Sequence, residues 1–299
     1  MLTRIAPTPS GYLHTGNLYN FLFNWLWARR NKGRVLLRID DGDADRKRPE
    51  YVEDVFRVLD WLELDWDLGP TGPDDFERHW SQATREPLYR KLLDELREND
   101  LIFACRCSRK AKGNENRAHA CGCEESGLPL EETGLAWRMK MSGDTGISFN
   151  DRALGEIKMR LADTTGAFVV RKKDGLAAYQ VSSLADDRHF GVTHIARGGD
   201  LLESTAMQLL MDKQLDNPQF QNTCFHHHGL LLDTGGEKIS KSAGKQGGSI
   251  RSWQKPESVI QGFGSWMGLS APLPDRVQQL VEWEAGAQPF TPISRSFSV

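Results

Sequence analysis

At the amino end the apolar positions change period twice. Residues 3–6 form a short strand pattern that stops at Pro7 and Pro9, because proline has no N–H to give a sheet ladder. After a Pro/Ser/Gly turn, Leu18, Phe21, Leu22, Trp25 and Leu26 fall at helical spacing. They predict an amphipathic helix over 17–32, closed by Gly33 as its C′ residue. Residues 35–39 are a continuous apolar run ending in Asp40, Asp41 and Asp43, the pattern of a strand buried on both faces. Strand, helix and strand make one βαβ unit, so the fold class is α/β with a parallel sheet.

Further amphipathic helices are predicted over 50–64 and 85–99, with a strand over 101–104. The texture then changes. Residues 105–134 are rich in Cys, Gly, Asn, Arg and Glu, and short strand patterns follow at 137–141, 147–150, 156–161 and 168–171. We read 105–171 as an inserted α+β subdomain. The α/β texture resumes with a helix over 177–186, a strand over 194–197 and a helix over 201–215, then an apolar stretch, 225–232, carrying three histidines. The expected division is a Rossmann-type domain from 1–104 and 172–232, the insertion, and a loop with a short, partly helical tail over 233–299.

Composition narrows the picture slightly. The 299 residues carry 38 Lys+Arg against 41 Asp+Glu, a net charge of −3. That excludes a generic basic nucleic-acid coat but not a local basic patch. The most apolar stretch, 21–27, is interrupted by Asn24, so no membrane span is expected. No signal-peptide pattern opens the chain, and a cytoplasmic location is expected. Of 5 cysteines, Cys105, Cys107, Cys121 and Cys123 are clustered. Two Cys-x-Cys pairs flanking a short loop suit tetrahedral Zn²⁺; His119 is the alternate ligand. Cys224 stands apart.

Two other clusters carry chemistry. In PSGYLHTGN (9–17), His14 precedes the predicted helix, and Gly11 and Gly16 let backbone approach a ligand. A helix amino terminus there suits an anion such as a triphosphate. In EKISKSAG (237–244), Lys238 and Lys241 lie three apart among small residues, suited to clamping a phosphate chain. His226, His227 and His228 alternate faces of a strand, so they do not share one ion; they read as core, or one of them lines a nucleotide site.

Together the two clusters resemble the paired HIGH and KMSKS signatures of class I aminoacyl-tRNA synthetases. RIAPTPSGYLHTGN (4–17), LRIDDGDADR (37–46) and the stretch 179–200, which ends in RGGD, resemble the glutamyl-tRNA synthetases in collinear order. The resemblance implies a Rossmann-type catalytic domain, ATP with Mg²⁺ and L-glutamate as substrates, and an adenylate intermediate. It implies that His14 and Asn17 contact ATP with Gly16 and Asp200, and that Lys238 and Lys241 stabilise the pentavalent phosphate. It implies a glutamate pocket of Arg4, Thr8, Asp40, Tyr179, Ser183 and Arg197, and it puts the zinc site in the acceptor-binding insertion. Asp40 stands where the family usually has Glu, and Ser183 where the discriminating enzymes have Asn. Asp186 and Asp187 we read as scaffold, solvated or capping a helix end.

The loop ends at Ser242 of 299 residues. The remainder is too short for the stem-contact and anticodon-binding domains that follow in a complete glutamyl-tRNA synthetase. This pattern is similar to the glutamyl-queuosine tRNA(Asp) synthetases. The resemblance then implies an enzyme that glutamylates queuosine in the anticodon arm of tRNA(Asp); the oligomeric state is not read from the sequence, and a monomer is the expectation. Competing expectations are another acceptor (a tRNA 3′ end, a protein or an amine) and a non-catalytic RNA-binding paralogue.

Overall fold

The computed structural model describes residues 1–107, 121–232, 248–269, 272–282 and 297–298. The chain opens as expected: strand β1 (Leu2–Ile5), helix α1 (Thr15–Arg30) and strand β2 (Arg34–Leu37), with β1 and β2 paired in parallel. Helix α1 starts two residues earlier than the apolar spacing suggests, because His14 serves as its N-cap and Asn17 Oδ1 accepts the His14 N–H at 3.1 Å. At its other end the left-handed residue is Lys32 (φ 51°), not Gly33. Gly33 is small for another reason: a Cβ there would lie 3.0 Å from the Met1 side chain.

Helix α2 (Pro49–Trp61) begins on a proline, whose missing N–H costs nothing at a helix start. A short turn α3 (Pro73–Asp75) leads through irregular helical turns to α4 (Glu86–Glu98). Strand β3 (Ile102–Cys105) pairs antiparallel with β4 (Ala136–Met139), and β4 with β7 (Val169–Arg171), so β3 is bonded to strands of the inserted segment. Between them β5 (Gly146–Asp151) and β6 (Gly155–Arg160) form a hairpin, followed by the single turn α5 (Leu161–Thr164). Helix α6 (Tyr179–His189), β8 (His194–Gly198), α7 (Leu202–Gln214) and β9 (Cys224–His228) complete the α/β unit, with β8 and β9 parallel. The hairpin docks on its edge through Asp151 opposite Phe225. Strand β10 (Leu231–Leu232) pairs with β11 (Phe297–Ser298), and α8 (Pro256–Trp266) and α9 (Val277–Glu282) pack on α1.

The strands are covered on both faces. Ile5, Val35, Leu37 and Ala196 pack with α1, α2, α8 and α9, while Leu2, Leu36, Ile195 and Phe225 pack with α4, α6 and α7. That double burial is why β2 reads as an unbroken apolar run. No helix among the described residues is long and apolar enough to cross a membrane.

Candidate active site

Strands β1 and β8 meet at their amino ends, where Thr193 N–H donates to Leu2 O at 2.9 Å and Leu2 N–H to Thr193 Oγ1 at 2.9 Å. Farther along, side chains replace the ladder. Asn24, fully buried on α1, accepts from Thr3 Oγ1 at 2.7 Å and from Ala196 N–H at 3.4 Å, and donates to Ala196 O at 3.2 Å. Arg4 donates to the same carbonyl at 3.3 Å. The chain runs from β1 to β2 on one side and from β8 to β9 on the other, so this junction is where strand order reverses. In open α/β sheets ligands sit beyond the carboxyl ends of the strands at such a point. The expected site residues Arg4, Thr8, His14, Arg197 and Asp200 all lie on or just after those ends.

The amino terminus of α1 is built as anticipated. A Cβ on Gly16 would lie 3.1 Å from two atoms of the His14 ring; glycine is what lets the imidazole fold over the first helical turn. Gly198 plays the same part at the end of β8. A Cβ there would lie 2.5 Å from Asp200 Oδ1, so only glycine lets that carboxylate turn back over the strand. Thr8 is exposed in the turn after β1, and Tyr179 opens α6 at 38% exposure. Lys238, Lys241 and His119 lie outside the described residues.

Beneath these residues is a buried ionic cluster. Arg38 forks onto Asp40 (2.8 and 3.0 Å), reaches Asp187 Oδ1 at 2.7 Å and donates to Ser183 Oγ at 3.2 Å. Arg4 Nε shares Asp187 Oδ1 at 3.3 Å. Arg85 forks onto Asp186 (2.7 and 3.0 Å), and Tyr89 donates to the same carboxylate at 2.9 Å. Asp186 and Asp187 are therefore scaffold, but not the solvated or capping acids expected from their place at a helix end. They are buried at 0% and 1% exposure and held by arginines from three other elements. Ser183 is also fully buried, its hydroxyl committed to Arg38. Burial pushes the Asp40 carboxyl upward, and the Arg38 guanidinium opposes it.

Arg197 is the exception. It is 3% exposed, yet among the described residues its Nε and Nη1 have no hydrogen-bond partner; Nη2 donates to Gln208 Oε1 at 2.8 Å. Burial pulls its pKa down, the mark of an under-compensated cation. Among the described residues of this cluster, the guanidiniums of Arg4, Arg38, Arg85 and Arg197 face three carboxylates: Asp40, Asp186 and Asp187. A buried cation left over in this way has donors available to an anion.

Arg38, Arg85, Tyr89 and Asn24 are site residues that the sequence pattern does not single out. Arg38 carried a signal: it interrupts an apolar strand and stands two residues from Asp40, hence on the same face. Arg85, on the turn before α4, and Tyr89, on α4, are distant in sequence and had none.

The three histidines alternate as expected. His226 packs 4.6 Å from Phe23 and 5.8 Å from Trp27, and burial drives its pKa down to about 3. His227, on the opposite face, lies 2.7 Å from Asp151 Oδ2 and 2.6 Å from Thr205 Oγ1. His228 pairs with Asn20 at 2.8 Å. They are core side chains.

The four clustered cysteines do converge. Their Sγ atoms all lie within 4.8 Å of one another, with Cys105–Cys121 and Cys107–Cys123 each at 3.8 Å. With Zn–S bonds of about 2.3 Å, a tetrahedron has S···S edges of about 3.8 Å. The donor set fits zinc, and the group sits against Phe103, Ala167 and Leu128.

Residues 1–271 match the family described as tRNA synthetases class I (E and Q), catalytic domain. A glutamyl-Q tRNA(Asp) synthetase of Symbiobacterium thermophilum is 36% identical, over 93% of this chain and 90% of its own length. A glutamate–tRNA ligase of the same organism is 31% identical over 90% of this chain but only 58% of its own. The crystal structure of a glutamate–tRNA synthetase from Elizabethkingia anophelis superposes at a TM-score of 0.81, with 22% identity, covering 100% of this chain and 68% of that one; it supports the fold. The chain belongs to the class I tRNA synthetases (E and Q), and within them to the glutamyl-Q tRNA(Asp) synthetases.

Proposed function

We propose that this chain is an ATP-dependent ligase that activates L-glutamate and transfers it to the queuosine base in the anticodon arm of tRNA(Asp). The observation that carries the substrate reading is Arg197, a buried cation with unpartnered donors where strand order reverses. Arg197 and Arg4 would meet a carboxylate of glutamate, with Thr8 and Tyr179 beside them. Asp40 meets the ammonium group, and Ser183 acts from beneath by holding Arg38. A glutamate carboxylate oxygen attacks the α-phosphorus of ATP, and the bond to pyrophosphate breaks. His14, Gly16 and Asn17 at the α1 amino terminus hold the phosphates, Asp200 the ribose, and Lys238 and Lys241 the departing charge. Mg²⁺ accompanies the nucleotide. Catalysis on this scheme is positioning and charge stabilisation. In the second step a queuosine hydroxyl attacks the acyl carbon, AMP leaves, and the hydroxyl proton passes to solvent.

Cys105, Cys107, Cys121 and Cys123 would hold structural zinc. Metal analysis of protein purified without chelator should give one zinc per chain, lost in Cys107→Ser. Retention of zinc by Cys121→Ser together with its loss in His119→Ala would instead make His119 the fourth ligand. Arg106 and, outside the described residues, Arg109, Lys110, Lys112 and Arg117 are the candidates for local contact with RNA despite the net charge of −3. The protein acts as a cytoplasmic monomer.

The test of activation is glutamate-dependent exchange of labelled pyrophosphate into ATP. It should proceed without RNA, and an absolute requirement for tRNA would count against this assignment.

A further inference from the structure

Arginines on and around α6 are closed by carboxylates: Arg38 by Asp40 and Asp187, Arg85 by Asp186, and Arg188 by Asp212. Arg197 is closed by an amide. Gln208, on α7 and fully buried, accepts from Arg197 Nη2 at 2.8 Å through Oε1, and its Nε2 donates to the Gln180 carbonyl on α6 at 3.4 Å. These two contacts fix the amide orientation, since only the oxygen can accept from a guanidinium and only the nitrogen can donate to a carbonyl.

The surroundings leave the charge of Arg197 largely intact. Arg4 has the same sign, and Asp187 Oδ1 is already shared by Arg4 and Arg38. His227, the register partner of Arg197 across the β8–β9 ladder, is kept toward its neutral form by burial, against the pull of Asp151. A carboxylate at 208 would satisfy the same geometry and cancel the charge. An amide holds the fork in place and cancels nothing.

We propose that Gln208 is a positioning residue that determines specificity, orienting Arg197 without neutralising it so that its charge is reserved for an anionic substrate side chain. This rests on the reading that Arg197 meets the side-chain carboxylate of the amino acid. Discrimination between glutamate and its neutral isostere glutamine then depends on residue 208 remaining uncharged.

The test is pyrophosphate exchange with glutamate and with glutamine, on wild type, Gln208→Glu and Gln208→Met. In Gln208→Glu, KM for glutamate should rise by at least about tenfold, and the preference for glutamate over glutamine should shrink by a similar factor. Its kcat at saturating glutamate and its KM for ATP should stay near wild type, which also reports that the variant is folded. Gln208→Met loses the tether but not the charge; its KM for glutamate should rise while the preference is kept. An unchanged preference in Gln208→Glu, or an equal loss of preference in both variants, would overturn the proposal. Wild type that exchanges with glutamine as readily as with glutamate would overturn the underlying reading, and the proposal with it.

Discussion

Arg197→Met should lose glutamate activation and keep its fold. Removing one member of a buried charge pair costs about 2–5 kcal/mol of binding, so kcat/KM for glutamate should fall by roughly 30- to several thousand-fold. The free protein should respond in the opposite sense. Arg197 is buried with two of its nitrogens unpartnered, and replacing such a group by an apolar one of similar volume relieves desolvation. Its melting temperature should therefore equal or exceed that of wild type, as substitutions at strained functional sites often do. Pyrophosphate exchange and a thermal melt on the same preparation decide it. A melting temperature that drops along with activity would make Arg197 a structural residue.

Arg38→Met should do the reverse, failing first as a folded protein. Arg38 is the cation between Asp40 and Asp187, and it also holds Ser183. Its removal leaves two buried carboxylates short of a partner, a defect worth about 3–5 kcal/mol, which is a large fraction of a typical domain's stability. Urea unfolding should show a lower midpoint at an unchanged slope. A loss below about 1 kcal/mol would mean that the cluster is solvated in solution. Methionine is the same replacement at both positions, so the opposite signs separate a scaffold arginine from a receptor arginine.

How far the sequence carries depends on the range of the interaction. The βαβ opening was legible because each element declares itself in its own period: Leu18, Phe21, Leu22 and Trp25 on α1, and Val35 to Leu37 on β2. The cysteine cluster was legible because two-residue spacing on each side of a loop leaves few ways to arrange four thiols. The ionic cluster was not. Arg4, Arg38, Arg85 and Asp187 come from β1, the end of β2, the turn before α4, and α6, and only the packing of α4 and α6 on the sheet brings their charges together. Two adjacent acids near a helix end look the same in sequence whether they face water or an arginine. Asn24 shows the same limit. In sequence it merely interrupts an apolar helix face, but in the fold it takes the place of the missing ladder between β1 and β8.

Transfer of glutamate to the tRNA decides whether queuosine is the acceptor. Queuosine presents a cyclopentene diol that guanosine lacks, so the acceptor can be switched on and off chemically. Labelled glutamate, ATP and the protein should be incubated with queuosine-containing tRNA(Asp), with the same tRNA after periodate oxidation with its 3′ end protected, and with an unmodified transcript. An alkali-labile label is expected on the first alone. Robust labelling of the unmodified transcript at its 3′ adenosine would contradict that expectation and identify conventional aminoacylation.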